Sequence, residues 1–148
     1  MDHSLPGRYC LTKLDEIVDL VAGLDDAAAG AVPPLPGANS AYQLLTHCLG
    51  MARQWVRENI LGEPTGRHRD AEFEAVGSVA ELVARARVER EELRADLARI
   101  RPGMPVPGRP GREDFWSDSA EGILLHVLEE LCQHLGHLEL TRDLVAAR

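Results

Sequence analysis

The chain has 148 residues, with 16 Lys and Arg against 24 Asp and Glu and a formal net charge of −8. That length suits one domain with a sizeable core, and 45% hydrophobic residues exclude wholesale disorder. The acid excess argues against a nucleic-acid partner, no apolar run approaches the roughly 18 residues of a membrane span, and three scattered cysteines make no disulfide framework.

Leu11, Leu14, Ile17, Val18, Val21 and Leu24 recur at spacings of three and four, which predicts a first helix. It stops before Val32-Pro33-Pro34-Leu35-Pro36-Gly37, a segment unable to continue it. Ser40 followed by Gln43 is a capping-box pattern and opens a second helix with the stripe Leu44, Cys48, Met51, Trp55. Gly62 and Pro64 end it. Residues 65–77 are polar and read as loop, with one turn around Glu72-Phe73. Ser78 with Glu81 is a second capping-box pattern, and Val79, Leu82, Val83, Ala86, Leu93, Leu97 and Ile100 make a third helix. Its charged face from Arg87 to Arg94 reads as solvated. Residues 101–111 hold four of the nine prolines and read as a stiff crossover. Ser117 or Ser119 caps a fourth helix running to about Ala146. No strand alternation and no repeat interrupts this pattern. Four helices of about 20 residues, each about 30 Å long, predict an all-α fold: an antiparallel four-helix bundle forming a single domain over residues 1–148. The start of the chain lacks the pattern of a signal peptide, and the cysteines read as reduced thiols, so the expected location is cytoplasmic.

Three of the six histidines fall between 126 and 137, on the fourth helix. At about 100° per residue, His126 and His137 lie within about 40° of Glu130 on one side, and His134 about 40° away on the other. Glu130 and His134 are therefore one turn apart at the edge of the apolar arc, close enough to share an ion. His47 sits between Leu44 and Met51 on the core stripe of the second helix. Two imidazoles and one carboxylate are a standard ligand set for a catalytic zinc with an open position. Each feature also has a plain structural reading: His47 as a hydrogen-bonded core histidine, Glu130 and His134 as an ion pair, His126 as a surface residue. The spacing does not fit a di-iron bundle, because Glu129 and Glu130 are followed three residues later by Cys132 and Gln133. Adjacent helix residues point about 100° apart, so Cys48 and Cys132 should not share the ion and read as small buried hydrophobes.

The segments His47-Cys-Leu-Gly-Met-Ala-Arg-Gln-Trp55 and Leu124-Leu-His-Val-Leu-Glu-Glu-Leu-Cys-Gln-His-Leu-Gly-His137-Leu-Glu-Leu-Thr-Arg142-Asp143 resemble the DinB/YfiT-like superfamily. Within it they are most similar to the actinobacterial mycothiol transferases, relatives of the mycothiol-dependent maleylpyruvate isomerase. The resemblance covers nearly the whole chain, including Arg69-Asp-Ala-Glu-Phe73. It implies a four-helix bundle holding one divalent metal, with ligands His47, Glu130 and His134. Many relatives have three His ligands, with His at the first position of the α-helical pair; Glu130 at that position is similar to the isomerase type. The isomerase has a further C-terminal domain for which this chain has no room, so its activity is not expected to transfer. His137 stands where many relatives carry Gln; a base or an alternative ligand are its two readings. His126 could hydrogen-bond Glu130 from one turn away.

The resemblance implies a thiol S-transferase in which mycothiol, bound and deprotonated by the metal, attacks or isomerises a small electrophile. A free thiol of pKa about 8.5 is only a few per cent thiolate at neutral pH, so an activating metal answers a real need. Zinc is the leading expectation, with nickel, iron and manganese as alternatives. Trp55 could wall the pocket, and Arg53, Arg69 and Arg142 could meet the thiol cosubstrate's carboxylate or hydroxyls. A homodimer through an apolar bundle face is compatible with the pattern. Two other readings stand beside the enzyme: a non-catalytic metal-binding bundle that holds a small ligand or answers stress, and a structural module without metal.

Overall fold

The computed structural model describes residues 4–108 and 114–146, and the described residues are helical with no strand. Six α-helices follow in order: α1 Leu5–Ala22, α2 Asp26–Gly30, α3 Ala41–Arg53, α4 Arg69–Glu72, α5 Val79–Leu97 and α6 Ala120–Ala146. A π-helical segment, Gln54–Ile60, continues α3 without a break. Four of these are the long helices expected, while α2 and α4 are each about one turn. The turn expected around Glu72-Phe73 is α4. The crossover expected over 101–111 is extended and turn-like through residue 108; the remainder lies outside the described residues.

The helix starts follow their caps. α1 begins six residues before its first apolar repeat because the Ser4 hydroxyl accepts from Gly7 N at 3.3 Å and Pro6 lies in the first turn. At α3 the box is complete: Ser40 Oγ accepts from Gln43 N at 3.1 Å, and Gln43 Oε1 accepts from Ser40 N at 3.0 Å. In α5, Ser78 Oγ accepts from Glu81 N at 3.4 Å. Ser119, not Ser117, caps α6, accepting from Gly122 N at 3.1 Å. Asp25 caps α2, and the neighbouring Asp26 carboxylate reaches across to Val79 N at the start of α5.

α1 packs against α5 and α6, and α3 packs against the same two helices. Leu14, Ile17 and Val21 from α1, Leu45 and Met51 from α3, and Ile123, Leu124, Val127, Leu131 and Leu138 from α6 are almost wholly buried. Each contributes about 1.5–3 kcal/mol of burial. None of the described helices is long and apolar enough to cross a membrane.

The α3 continuation departs from the regular helix the apolar stripe suggests. Leu61 N reaches back five residues to Val56 O at 3.1 Å, the π pattern. Gln54 and Trp55, at the start of this segment, share one pocket wall with His47 and Met51, the i, i+4, i+7, i+8 face of the helix.

Candidate metal centre and pocket

His47 sits on the buried face of α3, 4% exposed. Its Nδ1 lies 3.0 Å from Glu72 Oε1, contributed by α4 across the intervening loop. Arg67 Nη2 lies 3.3 Å from the same nitrogen, but the carboxylate is the nearer partner and only accepts, which favours the tautomer with its proton on Nδ1 and its lone pair on Nε2 for a ligand. Glu72 can come this close only because residue 50, three positions beyond His47, is glycine. A Cβ there would stand 1.9 Å from Glu72 Oε2. Arg67 grips the same carboxylate with both prongs, Nη2 to Oε1 at 2.7 Å and Nε to Oε2 at 2.8 Å, while its Nη1 donates to Gln54 Oε1 at 2.8 Å. Burial pushes the Glu72 carboxyl up, but the hydrogen bonds from Arg67 and then His47 outweigh it and hold it below the ordinary range. The result is a fixed anion behind the imidazole, the arrangement that orients histidine ligands in metal sites.

Glu130 and His134 face His47 from α6, one turn apart. One ligand atom from each of the three residues lies within 4.8 Å of the others, a group able to hold a metal ion. The donor chemistry fits a divalent cation. The His134 Nδ1 is buried and has no hydrogen-bond partner. Burial, then the neighbouring His47, His137 and Arg69, press the His134 pKa down to about 4, so its lone pair is free at neutral pH. The His47 and His134 rings meet edge to face at 4.7 Å.

Around this group lies a pocket of about 500 Å³, lined by His47, Met51, Gln54, Trp55, Arg67, Arg69, His126 and Glu130. That is within the range of small-molecule sites. His126 Nε2 stands 3.1 Å from Glu130 Oε2, and its ring is stacked on Trp116 at 3.7 Å with 7° between planes. Trp55 meets both rings edge-on. Arg69 lies over the Phe73 ring at 5.2 Å, and Phe73 in turn lies 4.9 Å from His47.

The structure thus brings together His47, Glu130, His134, His126, Trp55 and Arg69. His137 is exposed beside the group, its ring 5.9 Å from His134. Two arginines do not join the pocket. Arg53 is six residues beyond His47, about 120° around the helix, and lines a separate cleft with Thr65, Arg85 and Glu89. Arg142 lies eight residues and about 12 Å beyond His134, where it pairs with Asp143 at 3.1 Å. Cys48 is buried, as expected, and burial raises its pKa well above the ordinary thiol value. Cys132 is exposed and is no buried hydrophobe; two residues past Glu130, it is turned about 200° away from the site. Glu72, Arg67, Gln54 and Trp116 are the site residues that sequence reasoning missed. Gly50, one turn from His47, was the available signal for the first of these.

No curated protein and no solved structure matches the chain. A family model described as mycothiol-S-transferase matches residues 9–147, a span that includes the three converging side chains, Glu72 and the whole of α6. The helical architecture, the paired positions on α6 and this nearly full-length match agree: the chain belongs to the mycothiol-S-transferase family.

Proposed function

We propose that the protein is a metal-dependent thiol S-transferase. In this reading one divalent cation, zinc by the donor chemistry, is held by His47, Glu130 and His134. Mycothiol is the sulfur donor, and a small electrophile is the acceptor. One observation carries the proposal: two imidazoles and one carboxylate converge within 4.8 Å beside a pocket of about 500 Å³. A dication on this singly negative donor set supplies the positive charge that lowers a thiol's pKa from about 8.5 and makes the nucleophilic thiolate abundant at neutral pH.

The chain's own groups do the rest. Glu72, clamped by Arg67, holds the His47 ring with its Nε2 toward the group. His134 keeps its lone pair because protonation there is disfavoured. Trp55 and Arg69 line the pocket, and Arg69 is the group that would meet the carboxylate of the thiol. His137, exposed beside His134, accepts the thiol proton. The packing of α1 and α3 each against both α5 and α6 supports an antiparallel four-helix bundle, a single domain over residues 1–148. The reaction belongs in the cytoplasm, where low-molecular-weight thiols are kept reduced.

The test is incubation of zinc-loaded protein with mycothiol and monochlorobimane. The expected result is conjugate formation above the metal-free control, lost in His134→Ala. A rate equal to that control overturns the transferase reading.

A further inference from the structure

Four residues of α6 stand at intervals of four: Gly122, His126, Glu130 and His134. At that spacing they form one line along the helix, each a turn from the next. The last two are the proposed ligands on α6. The first two are not ligands, and both are engaged.

Gly122 carries the segment before α6. A Cβ at this position would stand 2.1 Å from Trp116 O and 3.0 Å from Ser119 Oγ, so no larger residue lets that segment lie down on the helix. The segment is itself tightly turned, with Ser117 N and Ser117 Oγ both donating to Asp114 O at 3.0 and 2.9 Å. This places the Trp116 ring flat against the His126 ring, 3.7 Å away and 7° from parallel, while Trp55 closes the edge at 5.2 Å from His126. A ring packed on one face and at its edge cannot turn freely. Its Nε2 is thereby fixed 3.1 Å from Glu130 Oε2. The opposite nitrogen, Nδ1, is buried without a hydrogen-bond partner, and the Glu129 carboxylate 3.5 Å from it makes no hydrogen bond. The Nε2 contact with the Glu130 carboxylate is thus the ring's shortest polar contact, an ion pair when the ring is protonated.

We infer that His126 is a positioning residue for Glu130: it holds one carboxylate oxygen, so that Glu130 meets a cation through the other, and Trp116 and Gly122 hold His126 in its turn. The inference rests on the metal site proposed above. It makes the two sides of that site mirror one another. On α3 a histidine ligand is oriented by a carboxylate that Gly50 lets in; on α6 a carboxylate ligand is oriented by a histidine that Gly122 indirectly seats. A Glu130 freed of His126 could bind through both oxygens or swing out of the group. Either change alters coordination number and weakens binding.

The test is titration of the full chain with Co²⁺, following its visible absorption, in the wild type, His126→Phe and His126→Gln. Phe keeps a ring against Trp116 but has no nitrogen to meet Glu130. Gln places its Nε2 the same number of bonds from Cβ as the histidine Nε2. The wild type is expected to bind one Co²⁺. His126→Phe is expected to bind it about 10- to 100-fold more weakly, the usual cost of losing such an outer partner, with altered absorption bands. His126→Gln should recover the wild-type bands and most of the affinity. Thermal unfolding of the metal-free proteins shows whether each variant is folded. Wild-type affinity and bands in His126→Phe overturn the inference alone, as does a His126→Gln variant no better than Phe. A wild type that binds no Co²⁺ overturns the metal site and this inference together.

Discussion

A methyl group at position 50 would stand 1.9 Å from the Glu72 carboxylate, so the anchoring of His47 depends on an atom that is absent. Gly50→Ala should drive Glu72 out of its place and break its bond to His47 Nδ1. We expect zinc affinity, measured by competition with a chromophoric chelator, to fall about 10- to 100-fold. Stability should fall by about 1–3 kcal/mol, the usual cost of overpacking. Unchanged affinity would show that Glu72 does not orient the ligand. The same residues mark the boundary of what could be read from sequence. His47, Glu130 and His134 were legible because each interrupts an apolar helical stripe, and two of them share a face at a spacing of four. Glu72 and Arg67 were not, because their partner lies 25 and 20 residues away across a loop. No local periodicity records which side chain a loop will deliver. Arg53 and Arg142 were misplaced for the opposite reason: they are near the ligands in sequence but on other faces or further turns.

The elements were legible where caps and breakers speak locally. Ser40 with Gln43 and the prolines after Val32 set the limits around α3, and Ser78 starts α5 where its pattern says. The π winding of Gln54–Ile60 was not legible, since a stripe of apolar residues does not distinguish about 3.6 residues per turn from slightly more. Its first two residues, Gln54 and Trp55, line the pocket wall. α3 also supplies His47, so its N-terminal cap is the element-scale feature to test. Ser40→Ala removes the hydroxyl acceptor of the complete box and should cost about 1 kcal/mol, a fall in melting temperature of about 2–4 °C. Zinc affinity should not change, because His47 is nearly two turns away. A melting temperature equal to the wild type would mean that this helix start does not depend on its cap.

At the scale of the molecule, α3 and α6 pack in register so that one histidine on the first opposes a carboxylate and a histidine on the second. The chain contributes charged and polar groups to this junction and so gives up some stability. The pH dependence of the metal-free protein should show it. His134 has a folded pKa of about 4 against an ordinary 6.5. Between those values the unfolded chain takes up a proton that the folded chain refuses, so stability falls as pH falls through that window. For this group it is level above and below. Glu72, held below the ordinary carboxylate value of 4.5, adds a further loss as pH drops through its own lower value. Chemical unfolding of metal-free His134→Asn between pH 7 and pH 4 should show a shallower decline than the wild type. An equal slope would contradict the buried, neutral state of this imidazole.

The central claim is that His47, Glu130 and His134 hold one cation between α3 and α6. Zinc content per chain, measured after saturation with zinc and removal of the unbound ion, tests it most directly. The account predicts one tightly held zinc in the wild type, lost in both His47→Ala and His134→Ala while the helices remain folded. Zinc retained by either variant at the wild-type level, or none in the wild type, would contradict it.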